Sequence, residues 1–478
     1  MNAPLMFDQR YRILPQTKLE DIHENSLRIM AEVGIVMTEP ESVEILKAHG
    51  CKVDGARVFF PRKLVEEAIK SAPSSYTLHG RDDSKTVKIS CDYTAYAGPY
   101  GSPFVHDRVH GYRSSTMEDF KNIVKIVDKM ENIDIQSHIS CEPNDIDKAK
   151  RPTAMVMETM RYSGKPLMAS IYGYKNAMDT IKLASIPFGG LDAIKDKPVV
   201  ASIPCTKTPL SYDPAQLGAI RAYAETGQVQ LINSLSIMGL TVPVTVAGLV
   251  SVQNAEVLAG IVLAQLVNPG CPVVYSASGT SANMANGTVT IGAPEDAVVS
   301  FINGQLANWY QIPCRISGAL SDSRTFDIQS AYESAVTIMA AQMAGGNFIL
   351  HSAGIIDSYN CTSYEKLIVD NEVLGYMRRI AKGVEVDEDH LDFDTIAEVG
   401  PEGVYLVEDS TIEFMRDEIY TPTLSYHDTY GSWVAQGSVT AEERATAKWQ
   451  KILAESTEST LPADVERDME KFIEGLDL

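Results

Sequence analysis

Polar and charged side chains stand in or after a series of short apolar runs in this sequence of 478 residues. Arg315 and His351 lie inside two successive runs, and charged residues on buried strands are rare unless they are paired or functional. Either side chain can hydrogen-bond a carboxylate, and an Arg315–Asp322 ion pair is the competing explanation. The other candidates of this kind are Tyr96, Tyr100, His138, Tyr172, Ser202, Asn233, Ser234, Ser276, Ser278, Ser317 and Asp357.

Aromatic residues near the same run ends form a second group, because ring faces attract a quaternary ammonium ion. Tyr96 and Tyr100 are preferred since they stand in the Gly-rich run AYAGPYGSP, and Phe348 is a third candidate. Core packing is the competing interpretation for each ring. The remaining aromatics are Tyr172, Tyr359, Trp309 and Tyr310, of which the last two close a helix and are expected to pack.

Several common catalytic arrangements are missing from the sequence. It has no paired carboxylates at an obvious spacing, no Lys at a run end and no GxSxG motif, which argues against hydrolase and aldolase chemistry. Zinc requires clustered Cys and His, but neither the pair His138 and Cys141 nor the pair His106 and His110 has a plausible third ligand. No metal site is therefore predicted, and these histidines are interpreted as structural.

The elements that must position these residues are eight apolar runs separated by stretches of helical period. This alternation is typical of parallel strands with crossover helices. The runs begin at Thr94, Ile133, Pro166, Pro198, Val229, Pro272, Ile312 and Asn347. Eight units predict an α/β fold, a (β/α)8 TIM barrel, whose reactive face lies at the carboxyl ends of its strands. A doubly wound open sheet is the alternative, but no GxGxxG motif follows a strand.

Three segments are predicted along the chain. Residues 1–90 are expected to form a cap, with helical patterns over 17–33, 40–49 and 61–72 and a hairpin at CKVDGARVFF. Residues 91–384 hold the barrel, and its last crossover is a long helix at SYEKLIVDNEVLGYMRRIAKG. Residues 385–478 are expected to be an acidic helical extension, exposed or buried between subunits.

The net charge and the cysteines limit the partners and the cellular compartment that are expected for this protein. Lys and Arg number 41 and Asp and Glu 63, for a net charge of −22, so nucleic acid and anionic membranes are not expected partners. The seven cysteines form no CxxC pair, which favours free thiols in a reducing compartment. The first residues lack the apolar core of a signal peptide, and a cytoplasmic protein is predicted.

Six blocks of the sequence together resemble the trimethylamine methyltransferase family. They are PGCPVVYSASGT, IGAPEDAVVS, SDSRTFDIQSAYES, AGGNFILHSAGIIDS, SYEKLIVDNEVLGYMRRI and AEVGPEGVYL. Members of that family are (β/α)8-barrel enzymes that move a methyl group from a methylated amine to the Co(I) centre of a separate corrinoid protein. The resemblance therefore implies this fold, methyl transfer, a corrinoid partner protein and a homo-oligomer.

The founding trimethylamine enzymes carry pyrrolysine in a region that corresponds here to Gly318, Ala319 and Leu320, all ordinary residues. This departure resembles the non-pyrrolysine branch, whose known members use quaternary amines such as glycine betaine, proline betaine, carnitine or γ-butyrobetaine. A quaternary nitrogen already carries its positive charge, so attack on a methyl carbon expels a neutral amine and needs no general acid. The missing catalytic acid fits this branch.

The resulting hypothesis is a betaine:corrinoid protein methyltransferase. Tyr96 and Tyr100, with Phe348, would hold the trimethylammonium group, and Arg315 or His351 would bind the carboxylate. The cobalamin would arrive on the partner protein, with no cofactor bound tightly here, because the chain has no DxHxxG pattern. Two alternatives remain: demethylation of a tertiary amine with a proton from Asp322 or His351, and a betaine-binding protein without turnover.

Overall fold

The centre of the protein is a curled parallel β-sheet, seen in a computed structural model that describes residues 10–477. The strands are β1 (Ile35–Met37), β2 (Lys52–Asp54), β3 (Arg57–Phe59), β4 (Ser75–Leu78), β5 (Val87–Ser90), β6 (Ala95–Tyr96), β7 (Phe104–Asp107), β8 (Gly111–Ser114), β9 (Leu167–Met168), β10 (Val200–Ser202), β11 (Ser211–Tyr212), β12 (Val229–Ile237), β13 (Val273–Asn283), β14 (Thr288–Thr290), β15 (Cys314–Ser317), β16 (Phe348–Leu350), β17 (Ile355–Ile356) and β18 (Cys361–Ser363).

Seven of the eight predicted runs form strands of this sheet, in the order β6-β16-β15-β13-β12-β10-β9, and every neighbouring pair on this path is parallel. The prediction of parallel strands joined by crossover helices is confirmed. Two of the strands are longer than expected, because β12 and β13 continue side by side to Ile237 and Thr280.

The run that begins at Ile133 does not form a regular strand. Two isolated parallel bridges, Ala97–Ile135 and Gln136–Leu167, stand between β6 and β9 at this point. The Asp134 carboxylate accepts the Tyr96 backbone N–H at 2.8 Å, a donor that a regular ladder would direct to a backbone carbonyl. The side chain thus interrupts the ladder locally.

Residues on the sheet alternate between its interior and the surrounding helices. On β15, Cys314 and Ile316 pack in the outer core, so Arg315 and Ser317 face the interior. Most of the interior is apolar. It contains Ala95, Ala97, Ile135, Met168, Ala201, Ile203, Val229, Leu231, Val274, Phe348 and Leu350.

An antiparallel hairpin of β4 and β5 packs against this interior. Its residues Leu78, Val87 and Ile89 belong to the same buried cluster as Ala95 and Phe348, which begin their strands. Because the hairpin covers the amino end of the sheet, the opposite end is left for polar residues.

Helices cover the outer face of the sheet. They are α1 (Gln16–Arg28), α2 (Pro40–Ala48), α3 (Arg62–Ser71), α4 (Met117–Lys129), α5 (Arg151–Tyr162), α6 (Gly173–Ser185), α7 (Pro214–Glu225), α8 (Val246–Val267), α9 (Pro294–Tyr310), α10 (Ile328–Met343), α11 (Tyr364–Lys382), α12 (Glu388–Leu391), α13 (Phe393–Val399), α14 (Asp409–Glu418), α15 (Tyr430–Ala435), α16 (Ala441–Glu455) and α17 (Ala463–Glu474). Short π- or 3₁₀-helical segments occupy Ile29–Val33, Asp83–Lys85, Ile186–Phe188 and Leu191–Ile194.

The predicted elements outside the sheet are also present. The helices expected over 17–33, 40–49 and 61–72 correspond to α1 with its π-helical end, α2 and α3, and the expected hairpin is β2–β3. The long helix after the last strand is α11, and helices continue to α17. The cap is joined to the sheet region by parallel pairing of β1 with β11. The division into three domains remains a prediction.

Helix α8 is long and apolar enough to cross a membrane by composition alone, with a mean hydropathy of 1.7 in its most apolar window. In this protein 78% of that window is buried. It packs against α1, α3 and α7, so its apolar surface is already covered by the chain itself. Such burial is typical of the core helix of a soluble protein.

A second, smaller sheet carries the chain over the carboxyl end of the central one. It has the order β17-β18-β7-β8, and β17 follows closely on β16 of the central sheet. The turn between β17 and β18 contains three consecutive residues with positive φ, Asp357, Ser358 and Tyr359. This sheet therefore places a tightly wound turn at the strand ends.

A glycine in α9 allows that helix to approach the end of α10. A Cβ atom at Gly304 would overlap the backbone carbonyl oxygen of Ala344, which cannot rotate away. We expect Gly304→Ala to lower the free energy of unfolding by about 1–3 kcal/mol, as other overpacked sites do. Gly431→Ala is the matched control, since its nearest atom is 3.9 Å away. Chemical denaturation measures both, and an equal effect of the two substitutions would contradict the prediction.

Candidate active site

Arg315 is a buried cation with no carboxylate beside it. Its Nη1 donates to Ser278 Oγ at 2.5 Å and to Asn233 Oδ1 at 3.4 Å, and its Nη2 donates to His351 Nδ1 at 3.0 Å. The Nε atom is buried without a partner, and burial lowers the pKa of the guanidinium. No carboxylate oxygen within residues 10–477 lies within 4.0 Å of it, so the proposed ion pair with Asp322 is wrong. A buried guanidinium with an unused N–H suits an anionic ligand.

His351 fixes the orientation of this guanidinium. It follows Leu350, which faces the interior, so strict alternation would turn His351 outward; its φ of 60° instead brings the ring to Arg315. Its Nε2 lies 3.1 Å from the carbonyl oxygen of Tyr100, and both contacts are satisfied when Nδ1 accepts and Nε2 donates. Burial, and then the charge of Arg315, hold the pKa of His351 well below its usual value. The ring is neutral and is not a proton donor at neutral pH.

Aromatic rings stand around His351. The Tyr100 ring lies edge-on to it at 6.3 Å between centroids, and the Tyr359 ring lies at 4.9 Å. The Tyr359 hydroxyl is 3.4 Å from Ser317 Oγ, whereas the buried Tyr100 hydroxyl has no partner. Two aromatic rings and an unpartnered hydroxyl therefore lie beside His351, the partner of Arg315.

Asp322 holds the strained turn against the start of α9. Its carboxylate accepts the backbone N–H groups of Ile291 at 2.8 Å and Gly292 at 2.9 Å, and the Ser358 hydroxyl at 2.7 Å. Positive φ at Ser358 and Tyr359 is costly for residues with side chains, and it persists only where the surroundings impose it. Asp322 thus supplies part of the restraint that places the Tyr359 ring.

A second buried charge lies in the first turn of α9. The Asp296 side chain belongs to a residue only 4% exposed, and burial raises the pKa of its carboxyl to about 7, with Asp322 adding to the increase and Arg315 opposing it. Tyr359 is also influenced by this carboxylate, since Asp296 contributes to the raised pKa of the Tyr359 hydroxyl. Asp296 therefore shares one electrostatic environment with Arg315 and Tyr359.

The structure separates Tyr96 from this group, which corrects its predicted role. The Tyr96 hydroxyl donates to Gln342 Oε1 at 2.5 Å, and the Arg378 guanidinium lies 5.1 Å from its ring centroid. Both partners are on helices outside the sheet, because alternation directs the neighbouring Ala95 to the interior and Tyr96 away from it. Tyr96 is a packing residue between the sheet and α10 and α11.

Phe348 stands beside Arg315, its partner across the parallel strands β15 and β16, and its role in holding the ligand remains a prediction. It begins β16, is fully buried, and packs in the apolar interior with Val274 and Leu350. The polar side chains begin at Arg315 and extend from there toward the strand ends. Of the five predicted site residues, the structure brings together Tyr100, Arg315, His351 and Phe348, and it separates Tyr96 from them.

Trp309 and Tyr310 have structural partners, Tyr172 is exposed, and His138 is buried without a hydrogen-bond partner. Trp309 stacks on Tyr310, whose hydroxyl bonds His23, so both are packing residues as expected. Tyr172 is 48% exposed. His138 is fully buried with both ring nitrogens unpartnered, and burial lowers its pKa to about 3. In residues 10–477 no group of three or more His, Cys, Asp and Glu side chains is arranged to hold a metal.

Leu320 lies directly against this region. It is fully buried in a small apolar cluster with Ile291 and Ile355, and Tyr359 packs against that cluster. An aliphatic side chain supplies no reactive group there. The position therefore contributes shape and supports the Tyr359 ring.

The residues at the strand ends do not include Asp296, which the sequence analysis therefore did not predict. Asp296 stands in a helix turn and not at a strand end, although the segment IGAPEDAVVS was noticed as a whole. Tyr359 is among the rings predicted as candidates for a quaternary ammonium ion, and it reaches the site through three successive positive φ angles. An acidic residue just after a Pro-initiated helix start was the available signal for Asp296.

Removing the Asp322 carboxylate should loosen the loops that it joins. In Asp322→Ala, two backbone N–H groups and the Ser358 hydroxyl lose their acceptor, and we expect about 2–4 kcal/mol less stability. Hydrogen exchange should accelerate at 291–292 and 357–359 before the rest of the chain. Asp54→Ala, at an exposed strand end, is the control. Unchanged exchange in both loops would refute this role for Asp322.

Comparison with known proteins supports one family across the whole chain. The profile of the trimethylamine methyltransferase family matches residues 3–475. The glycine betaine methyltransferase of Desulfitobacterium hafniense is 40% identical over 464 residues, covering 97% of each chain. The proline betaine:corrinoid methyltransferase of Eubacterium limosum is 32% identical, covering 84% of this chain and 85% of the relative. Trimethylamine methyltransferase MttB of Methanosarcina barkeri is 28% identical, covering 96% and 94%.

A solved structure supports the fold. The crystal structure of the hydroxylamine complex of MtmB superposes with a TM-score of 0.54 at 10% sequence identity, covering 95% of this chain and 90% of the other. At this identity the likeness concerns the fold alone. The profile match and the two betaine-enzyme relatives lead to one conclusion: the chain belongs to the trimethylamine methyltransferase family, as its sequence blocks predicted.

Proposed function

We propose that the protein transfers a methyl group from a betaine to the Co(I) of a corrinoid carried by a partner protein. The observation that carries the proposal is the buried Arg315 guanidinium, which has a free N–H and no carboxylate partner. A betaine carboxylate would supply the missing anion. The names of the relatives, which act on glycine betaine and proline betaine, support the same substrate class.

The proposed carboxylate position lies beside the Arg315 guanidinium, whose Nε has no partner. Arg315 already donates to neutral acceptors, so it can turn part of its fork toward an anion while His351 keeps the guanidinium plane oriented. The Tyr100 hydroxyl, buried without a partner, can donate to the same ligand. The rings of Tyr100 and Tyr359 offer faces to the quaternary ammonium end.

In this reaction the protein contributes orientation more than proton transfer. The Co(I) of the partner is the nucleophile; the C–N bond of one N-methyl group breaks, its electron pair stays on nitrogen, and a neutral tertiary amine leaves. No proton is required by that step. The residues described above hold the substrate and replace water around its charges, so that one methyl group faces the strand ends.

A tertiary amine substrate would place a different demand on the site. Its leaving nitrogen would need a proton, yet His351 is neutral and already bonded through both ring nitrogens. Asp322 accepts three hydrogen bonds that hold two loops. Both residues considered as acids are thus engaged structurally, which favours the quaternary substrate.

Several wider features belong to the same proposal. The bridges at Ile135 and Gln136 connect the two edge strands of the central sheet, and we propose that the sheet closes there as an eight-stranded (β/α)8 barrel. The corrinoid protein would approach the strand ends. We also propose a homo-oligomer in the cytoplasm, with no nucleic acid or membrane partner and no tightly bound cofactor.

The proposed activity is tested by methylation of reduced cobalamin, followed by its absorbance change. The panel contains glycine betaine, proline betaine, carnitine, γ-butyrobetaine and trimethylamine. We expect at least one quaternary amine, and not trimethylamine, to yield methylcobalamin. If no member of the panel transfers a methyl group while Co(I) is verified, the proposed activity is wrong; binding without transfer would instead indicate a betaine-binding protein.

Replacing Arg315 should weaken binding of the carboxylate. We expect Arg315→Met to raise KM for the betaine by about 30-fold or more, because a buried partner of a charged group is removed. Arg28→Met is the matched control, since Arg28 is exposed and pairs only with Glu32. Steady-state kinetics with the substrate found above measures both variants, and an unchanged KM in Arg315→Met would remove Arg315 from the site.

His351→Ala should act through Arg315. It removes the acceptor that fixes Nη2, so we expect a raised KM, with the pH dependence of kcat/KM unaltered because the ring is neutral throughout. Kinetics across pH 6–9 is the measurement. Loss of an acidic limb from the profile would show that His351 titrates in the reaction.

A further inference from the structure

The site contains an unpaired negative charge as well as the unpaired positive one. The Asp296 carboxylate belongs to a residue only 4% exposed, on a helix that begins at Pro294. Within residues 10–477 no hydrogen bond or ion pair to this carboxylate is formed. The neighbouring Glu295, by contrast, is partly exposed and lies 3.5 Å from the Ser281 hydroxyl. Asp296 is therefore the acidic side chain of this helix start that is directed inward.

Burying a carboxylate without a donor is unfavourable, and buried polar groups are almost always hydrogen-bonded. Arg315 is near enough to influence Asp296 electrostatically, yet no pair of their charged atoms is within 4.0 Å. The two opposite charges are thus not neutralised by contact with each other. Two separated, uncompensated charges in one region indicate that a ligand with the reverse charge arrangement completes them.

We propose that Asp296 is the counter-ion of the substrate's quaternary ammonium group, so that the site selects zwitterions whose cation and carboxylate are held apart. This assignment rests on the proposed function above. The carboxylate of the substrate meets Arg315, and its ammonium meets Asp296 beside the Tyr359 ring. Compounds with only one of the two charges, such as choline or a simple carboxylate, leave one protein charge buried and unpaired.

The chemistry of a quaternary nitrogen explains why Asp296 has no built hydrogen-bond partner. Such a nitrogen carries no N–H, so it interacts through its spread positive charge and methyl groups, with no donor direction to satisfy. A carboxylate held by several donors would have less charge available for it. Tyr359, supported by Asp322 and Leu320, supplies a ring face on the same side.

Asp296 is expected to affect substrate binding and turnover differently. The ammonium charge is complete in the bound substrate and decreases as the C–N bond breaks, so Asp296 stabilises the bound substrate more than the transition state. Its loss should raise KM without lowering kcat. Asp296 is thus assigned to specificity and not to the methyl-transfer step.

The test compares glycine betaine with 3,3-dimethylbutanoate, its isostere in which carbon replaces the charged nitrogen. Titration calorimetry with the full-length protein should show that the wild type prefers the betaine by about tenfold or more. In Asp296→Asn the preference should fall to near unity, mostly through weaker betaine binding, and Asp296→Glu should restore part of it. Glu295→Gln, which removes the same charge one residue away, should keep the wild-type preference.

Stability distinguishes a binding role from a structural one. Burial raises the pKa of Asp296 from 3.8 to about 7 on folding, so stability falls progressively between about pH 4 and pH 7, and the full cost is present at pH 8. Asp296→Asn without ligand should therefore melt at the same temperature as the wild type or higher at pH 8. A lower melting temperature together with an unchanged preference would identify Asp296 as a structural residue and overturn the proposal.

The pH dependence of binding gives a second readout. The charged or titratable groups around Asp296 are Arg315 on β15, Asp322 after that strand, Tyr359 on the strained turn and Glu295 on its own helix. A protonated Asp296 attracts the ammonium less, so betaine affinity should increase between pH 6 and pH 8 in the wild type and stay level in Asp296→Asn. Parallel profiles for the two proteins would overturn the assignment.

The outcomes separate this inference from the proposed function. If the wild type binds and demethylates a betaine but Asp296→Asn keeps the wild-type preference over the isostere, the function stands and the role of Asp296 is wrong. If the wild type binds neither glycine betaine nor the other betaines of the panel, both are wrong. A betaine other than glycine betaine is tested against its own neutral isostere with the same variants.

Discussion

The burial of the Arg315 guanidinium within the parallel sheet is the constraint on which the rest of the site depends. A cation inside a sheet is costly unless neighbouring groups satisfy its donors. Ser278, Asn233 and His351 accept from it, but they are neutral and do not cancel its charge. The hairpin β4–β5 covers the apolar amino end of the interior, so the charge is compensated from the strand ends only.

Backbone strain is concentrated where this compensation is arranged. His351 and the turn Asp357–Tyr359 have positive φ, and each brings a ring toward Arg315 that regular alternation or an ordinary turn would direct elsewhere. Asp322 holds that turn against the start of α9, which also carries Asp296. One carboxylate thus restrains two loops whose side chains share the electrostatic environment of the guanidinium.

The strands and most helices could be predicted because the spacing of apolar residues follows the pattern of burial. Arg315 could be identified because a charged residue within an apolar run is rare. Tyr96 was misplaced because a strand apolar on both faces does not reveal which face is interior; small Ala95 and Ala97 occupy it here. The ring of His351 and the position of Tyr359 depend on positive φ at residues other than glycine, which composition does not indicate. Asp296 enters the site from the first turn of a helix, so it is not among the residues found at the strand ends.

The arrangement also explains why the sequence offers no clear catalytic acid or base. A substrate whose leaving group departs as a neutral amine needs its two fixed charges recognised and its water removed, and neither task requires a residue that changes protonation. A neutral His351, an Asp322 engaged by backbone donors and an Arg315 without an ion pair are what such a site requires. In the sequence, residues of these types cannot be told from structural residues. Their atoms without hydrogen-bond partners identify them as functional only when their burial is known.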